Sequence, residues 1–499
     1  MTDSAKAIYD ELSVERAPFL QQARENAKYT LPYLIRWGLG AENGNRSSAE
    51  LPQPYQSIGA RGVNNISSKL ALALFPVNQL FFRFGLADGS DPDDAQEKEL
   101  RVIEDAIYRE FETKRHRVHA NSALLHAIVA GNALYLADEK PRVFHLDSYC
   151  IQRDPRGNLV KLAVVEVTHR AALPENIQKD LPADQGDTSH KHRPDELEVY
   201  TAVVREDENT YREWQEINGK QIGATKTYKT DELPWIPLTF LDADGEDYGR
   251  GYVEQYLGDL RSLEGLSKAA VEGAAGAAKV VFLVKPGAMT KISDLTESSQ
   301  FDVKVGNADD VTVVQAATPG LTWVHHQMER VEQRLGYAFL LNSTVQRQAE
   351  RVTAEEIRFV ARELDDQLGG AFTQMSARFQ KPLVQGLLGV LTRRSGGIPK
   401  KVAQDVAFSI TTGLSAIGRN HEVEQANLFV QLMVAAGADA YINKAALGQQ
   451  LATNTGVDAD LVLSEGDVQQ ARAQALLAQM GEKATPELAK QFFGQQPAA

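Results

Sequence analysis

One cysteine, Cys150, stands in 499 residues, so no internal disulfide can form and a reducing compartment is expected. Alone, it reads as a small buried hydrophobe. Bases are scarce as well: 53 Lys and Arg against 67 Asp and Glu leave a net charge of −14. A protein that grips DNA over its whole surface needs excess bases to displace phosphate counterions, so that class is excluded. No stretch approaches the ~18 uninterrupted apolar residues that suggest a membrane span. The nearest, Leu70 to Leu86, is broken by Pro76, Asn78, Gln79 and Arg83. The N-terminus, MTDSAKAIYDELSVERAPF, has neither the basic start nor the apolar stretch of a secretory signal. What remains is an ordinary globular mix, 43 % apolar and 24 % charged. At this length about three units are expected. Together these readings predict a soluble, acidic, multidomain protein made in the cytoplasm, without membrane contact.

Catalytic motifs are missing too. There is no G-x-S-x-G, C-x-x-C or H-E-x-x-H. Gly273 to Lys279 holds two glycines and a lysine, but it lacks G-x-x-x-x-G-K-[ST] and falls inside a predicted helix, so it is no phosphate-cradling loop. His325 and His326 are adjacent, about 100° apart on a helix, and cannot serve one metal as an i, i+4 pair would. His116, His119 and His126 have Arg115 and Arg117 beside them and no carboxylate in register, which predicts a surface or subunit contact rather than a ligand set. Asp93–Asp94 and Asp365–Asp366 are adjacent pairs on solvated segments, whereas two-metal cleavage needs convergent carboxylates. The expectation is therefore a structural protein with no catalytic residue, metal or cofactor. Two alternatives stay open: an acidic metal-dependent nuclease or hydrolase using Asp365 and Asp366, and a helical scaffold protein.

Periodicity predicts an α+β chain, mostly α. Helix is expected over 5–37, punctuated by Pro18 and Pro32, and over 57–75, where Val63, Ile66, Leu70 and Leu74 form one stripe. An acidic, solvated helix over 91–112 should turn Val102, Ile103, Ala106, Ile107 and Phe111 to the core, and a helix over 118–131 should end at Gly131. From 133 to 170 the period is two, with a turn at Asp154–Gly157, and further strands are expected at 197–205, 210–218 and 235–241. Residues 180–196 read as a polar loop. Helix returns over 252–279 with Gly258, Gly265, Gly273 and Gly276 inside it. Each interior Gly disfavours an exposed helix by about 0.8–1 kcal/mol relative to Ala, which implies that something packs close to this backbone. That neighbour is either another subunit's helix or the chain's own core.

Strands are then predicted in KVVFLVK, FDVKV and DVTVV, the last two joined across Gly306, Asn307, Ala308, Asp309 and Asp310. A helix from Leu321 precedes a polar stretch, NSTVQRQAERV. The capping box Thr353–Glu356 then opens a long helix that Pro382 should kink. A strand at 406–411 and an Ala- and Gln-rich helical region to 499 close the chain.

The segments ARGVNNISSKLALALFP (60–76), VAGNALYL (129–136), SYCIQRDPRGNL (148–159), GEDYGRGYVEQYLGDLRSLE (245–264) and LNSTVQRQAERVTAEEIR (341–358) occur in this order. In them the chain resembles the portal, or head-to-tail connector, proteins of short-tailed bacteriophages. The resemblance implies a homo-oligomeric ring, usually twelvefold, at the unique capsid vertex of the virion, through which double-stranded DNA passes without sequence specificity. It implies a portal-type fold: a wing over 1–250 and 353–420, stem helices over 252–279 and 321–341, an α/β clip over 280–320 and a helical crown over 421–499, with a flexible tail after about 494. Residues 342–352 would be the tunnel loop, where Gln346, Arg347, Gln348 and Arg351 would meet DNA; salt bridges between neighbouring subunits are the alternative for the two arginines. Gly265, Gly273 and Gly276 would let stem helices of adjacent subunits approach, and the tip at Gly306, Asn307, Asp309 and Asp310 would dock the terminase packaging motor and then the tail adaptor. Major capsid and scaffolding proteins would meet the wing, and internal core proteins the crown.

Overall fold

The computed structural model describes residues 4–35, 51–77, 80–86, 94–180, 196–277, 281–287, 307–314, 319–341, 364, 371–394, 406–410, 431–433 and 435. The chain separates into two compact units, Met1–Gly413 and Leu414–Ala499, and all but four of the described residues belong to the first.

That unit is mixed helix and sheet, mostly helical. Its helices are α1 (Ala5–Lys28), α2 (Ile58–Leu74), α3 (Asp94–Thr113), α4 (His116–Ala130), α5 (Glu175–Asp180), α6 (Tyr252–Gln255), α7 (Leu257–Ala277), α8 (Pro319–Ala338), α9 (Ala371–Met375) and α10 (Lys381–Arg393). Strands β2 (Asn132–Leu136), β3 (Arg142–Phe144) and β9 (Trp235–Thr239) form one sheet in the order β3-β2-β9. Strands β4 (Tyr149–Arg153), β5 (Leu159–His169), β6 (Glu196–Arg205), β7 (Thr210–Ile217) and β8 (Lys220–Lys229) form an antiparallel meander in chain order. Two further pairs are antiparallel: β1 (Phe82–Leu86) with β12 (Val406–Ile410), and β10 (Val281–Val284) with β11 (Val311–Val314).

The main core joins α2, α4, β2, β9, the buried end of α8 and α10 around an aromatic cluster in which Phe75, Phe81, Phe111 and Phe379 make edge and stacked contacts. A second core lies where α1 crosses the meander, placing Ala5, Ile8 and Leu12 against Cys150, Ala163, Tyr200, Ala202 and Trp214. Cys150 is fully buried, as expected of a small hydrophobe, and burial pushes its thiol up to about 12. Arg16 ties α1 down further, donating to the carbonyls of Leu146, Asp147 and Tyr149 at 2.8–3.3 Å.

The helix over 58–74 follows its predicted stripe; α1 ends at Lys28, short of the predicted 37, with only a 3-10 turn at Pro32–Leu34 beyond it; and Gly131 ends α4 in the left-handed region at φ 78°. Several expectations change. On α3, Val102 is 69 % exposed, because Leu100, Ile103, Ile107 and Phe111 define a face on which residue 102 has no place. Glu104 and Glu110 are buried instead of solvated: the Phe84 amide donates to Glu104 at 2.7 Å, and Arg394 donates to Glu110. His116 and His126 are core residues, not a surface or subunit contact; a Tyr135 hydroxyl lies 2.7 Å from His116 Nδ1. Pro382 sits in the first turn of α10, where proline is tolerated, and a π-helical turn over Ser376–Gln380 precedes that helix. The polar stretch 181–195 and the capping box at 353–356 lie outside the described residues.

Candidate functional site

Two helices leave the core side by side. α7 and α8 run antiparallel, since Asp259 near the start of α7 meets Arg334 near the end of α8 at 2.8 Å. Leu257, Leu260 and Leu263 bury the first half of α7, and Val331 and Leu335 the second half of α8. Beyond them both helices are exposed, with Val271 at 55 % and Trp323 at 63 %. Neither helix carries an excess of bases: α7 has two bases to three acids, and α8 two of each.

Three of the four glycines of α7 do not face the chain's own core. At Gly258, Gly265 and Gly276 a Cβ would meet nothing within 4 Å. Among the described residues, the chain's own core does not pack on these three positions. Gly273 lies half-buried on the same helix. Helix begins at Tyr252 as expected but is interrupted at Tyr256, between α6 and α7.

The base of α7 is a junction built from segments far apart in sequence. The Asn132 side chain makes a two-way amide bridge to Gly249, donating to its carbonyl and accepting from its N–H, both at 2.8 Å. Gly131 requires its glycine twice over: its φ is 78°, and a Cβ would stand 2.5 Å from the Gly249 carbonyl oxygen. At Gly251 a Cβ would stand 2.6 Å from the Val129 carbonyl oxygen. Arg153 closes the other side: its amide donates to Asp247 Oδ1 at 2.7 Å and its guanidinium to the carbonyls of Asp247 and Pro237 at 3.0 Å. The Tyr248 hydroxyl accepts from the Ile151 amide. Three of the segments that carried the resemblance, 129–136, 148–159 and 245–264, therefore meet at one place.

A fourth segment, 60–76, meets the far end of α8. Asn65 Nδ2 donates to the carbonyls of Phe339 and Leu340, both at 2.9 Å, and Lys69 Nζ to Leu340 at 3.3 Å. The Tyr252 hydroxyl donates to the Ala338 carbonyl at 2.8 Å. Gly62 is small because the Phe339 ring lies where its Cβ would be. The sequence pattern does not single these residues out; its one signal is a lysine, Lys69, one turn from Asn65 and flanking the apolar stripe.

Gln346, Arg347, Gln348 and Arg351 lie outside the described residues, as do Gly306 and the FDVKV run. β11 pairs with β10, and a 3-10 turn over Ala308–Asp310 leads into it. Asn307 and Asp309 are exposed, and the Asp310 carbonyl accepts from the Lys285 amide at 3.0 Å. His325 and His326 both lie beside Glu329, at 3.6 and 3.5 Å. No group of three or more His, Cys, Asp or Glu is placed to hold a metal among the described residues, and Asp365 and Asp366 are outside them. No described helix is long and apolar enough to cross a membrane.

Comparison with known proteins points one way. The family described as bacteriophage head to tail connecting protein matches residues 2–463. The portal protein of Escherichia phage T7 is 36 % identical over 501 residues, covering 96 % of this chain and 91 % of its own. That of Enterobacteria phage SP6 is 28 % identical over 85 % of this chain and 82 % of its own. That of Pseudomonas phage phiKMV is 29 % identical over 85 % and 84 % respectively. Among solved structures, a chain from the virion of a native gene transfer agent particle aligns at 10 % identity over 82 % of this chain and 92 % of its own, with a TM-score of 0.38.

Proposed function

The chain belongs to the bacteriophage head to tail connecting proteins, the portal proteins of short-tailed phages, and from that premise we propose how its parts work. Copies close into a ring of about twelve at one capsid vertex of the virion, and double-stranded DNA passes along its axis during packaging and ejection. The observation that carries this is kinship along nearly the whole chain, 36 % identity over 96 % of its length. A role built from one local motif would not require so much of the sequence to be shared.

The open glycine face of α7 supports close packing of helices from adjacent copies. α7 and α8 act as the stem, and the β10–β11 pair with the Asn307–Asp310 turn acts as the clip, meeting the terminase motor first and the tail adaptor later. Residues 1–250 and 353–420 serve as the wing toward capsid and scaffolding proteins, and 421–499 as the crown toward internal core proteins. The chain is made in the host cytoplasm.

Electrostatics fit passage better than capture. Affinity for DNA climbs steeply with each phosphate neutralised, so a channel lined with bases would stall its cargo. A net charge of −14 per copy lets DNA slide, and Arg347 and Arg351 touch it at one constriction. Native mass and negative-stain imaging test the ring: about twelve copies around an axial hole are expected, and a compact particle without an opening rejects it. Particles carrying Arg347→Ala and Arg351→Ala should package DNA but retain full-length genomes poorly; wild-type retention removes the loop's role.

A further inference from the structure

We propose that Asn65, Lys69 and Tyr252 form a clamp on the end of α8 that bears the load on the segment after it, and so governs how firmly that segment holds DNA. This rests on assigning residues 342–352 to DNA contact.

A helix ends with carbonyls that lack partners, and a pair of backbone bonds ordinarily meets that need. α8 already has the pair: the Leu341 amide donates to the Gly336 carbonyl at 2.8 Å and the Leu340 amide to Tyr337 at 3.1 Å. The residue forced left-handed by this cap is a leucine, Leu340, at φ 55°, where glycine is usual. Its side chain is in the core, 5 % exposed, so it fastens the cap as well as turning it. Beyond that sufficient cap, three successive carbonyls, of Ala338, Phe339 and Leu340, each accept a side-chain donor from elsewhere. The Lys69 ammonium also meets the negative end of the helix dipole.

Two of the donors sit one turn apart on α2, whose Val63, Ile66 and Leu70 are fully buried. A segment that bears on a moving or pressurised polymer transmits force to its attachment. With only the backbone cap, that force would peel the last turn of α8. Clamped to α2, it is passed into the main core, and the departure point at Leu341 stays fixed. Asn65, Lys69 and Tyr252 are therefore positioning residues and do not touch DNA themselves.

The test uses the full chain assembled into particles. Asn65→Ala with Lys69→Met should form rings of wild-type mass and package DNA. The Leu341 amide should exchange with deuterium about tenfold faster, and the fraction of particles keeping full-length DNA on mild heating should fall several-fold. Lys69→Arg, which keeps a charged donor, should hold DNA as wild type does. Should the double variant not fold, Tyr252→Phe removes one hydroxyl and should shift retention in the same direction by less. Arg347→Ala with Arg351→Ala runs beside it. Leakage from that pair with wild-type retention by the clamp variants overturns the clamp and leaves the loop assignment standing. Wild-type retention by both sets overturns both.

Discussion

Two groups of glycines in this chain have opposite surroundings. At Gly59, Gly62, Gly131, Gly249 and Gly251 an added Cβ would come within 2.2–2.8 Å of the chain's own atoms. At Gly258, Gly265 and Gly276, on one helix, it would meet nothing within 4 Å. The first group is explained inside one copy: Gly59 meets the Tyr29 carbonyl, Gly62 meets the Phe339 ring, and Gly131, Gly249 and Gly251 lie where the end of α4 and the segment before α6 approach backbone to backbone. The second is not, although each glycine weakens its helix. Under the proposed stem packing, the missing neighbour is a helix of another copy.

Substitutions and acid can sharpen this contrast through the stability of the single chain. Gly131→Ala combines a left-handed backbone with an overlap on the Gly249 carbonyl, and a loss of about 3 kcal/mol or more is expected, read as a lower denaturant midpoint or no soluble chain. An unchanged midpoint would mean that the junction has room to relax.

Acid should loosen the same core by a comparable amount. Burial holds His116 and His126 down at about 4 from an ordinary 6.5, so both are neutral in the fold and take up protons on unfolding. Stability is then full above about pH 6.5 and is lost as pH falls toward 4, by at most on the order of 3 kcal/mol for each ring. Glu104, whose carboxyl is raised by burial, offsets part of this. His116→Gln should flatten the profile measured by thermal unfolding; an unaltered slope would remove His116 as a cause.

Gly265→Leu with Gly276→Leu should leave unfolding of the isolated chain within about 1 kcal/mol of wild type while ring yield, read by native mass, collapses. Rings at wild-type yield would show that the open face meets only solvent. Smallest is Gly276→Ala, which should strengthen the isolated helix by up to about 1 kcal/mol and test whether one methyl is tolerated in the ring.

Local periodicity made much of the fold legible. The stripe Val63, Ile66, Leu70, Leu74 and the stop at Gly131 are properties of neighbours in sequence, and they held. β8 leaves no periodic signature because its residues are exposed on nearly every position and show no alternation, although Asn218-Gly219, with φ of 50° and 75°, is a hairpin turn visible in the letters. β1 was hidden inside an apolar run. The burial of His116 depends on Tyr135 and Phe111 closing around it, which no single helix announces. In the candidate site, the small residues of α7 were legible as small, but not which way they face. The Asn132–Gly249 bridge and the hold of Asn65 on Phe339 span 117 and 274 residues, so only tertiary structure reveals them.

The strand pair β1–β12 joins Phe82 to Ile410 and Leu86 to Val406. A ribosome must therefore add about 320 residues after the first strand before its mate emerges, a wait of roughly 16 to 65 s at typical elongation rates. During that interval an apolar edge stands ready to pair with any other nascent chain. Polypeptides released before position 410 never cover it, and they are expected to precipitate instead of joining intact copies.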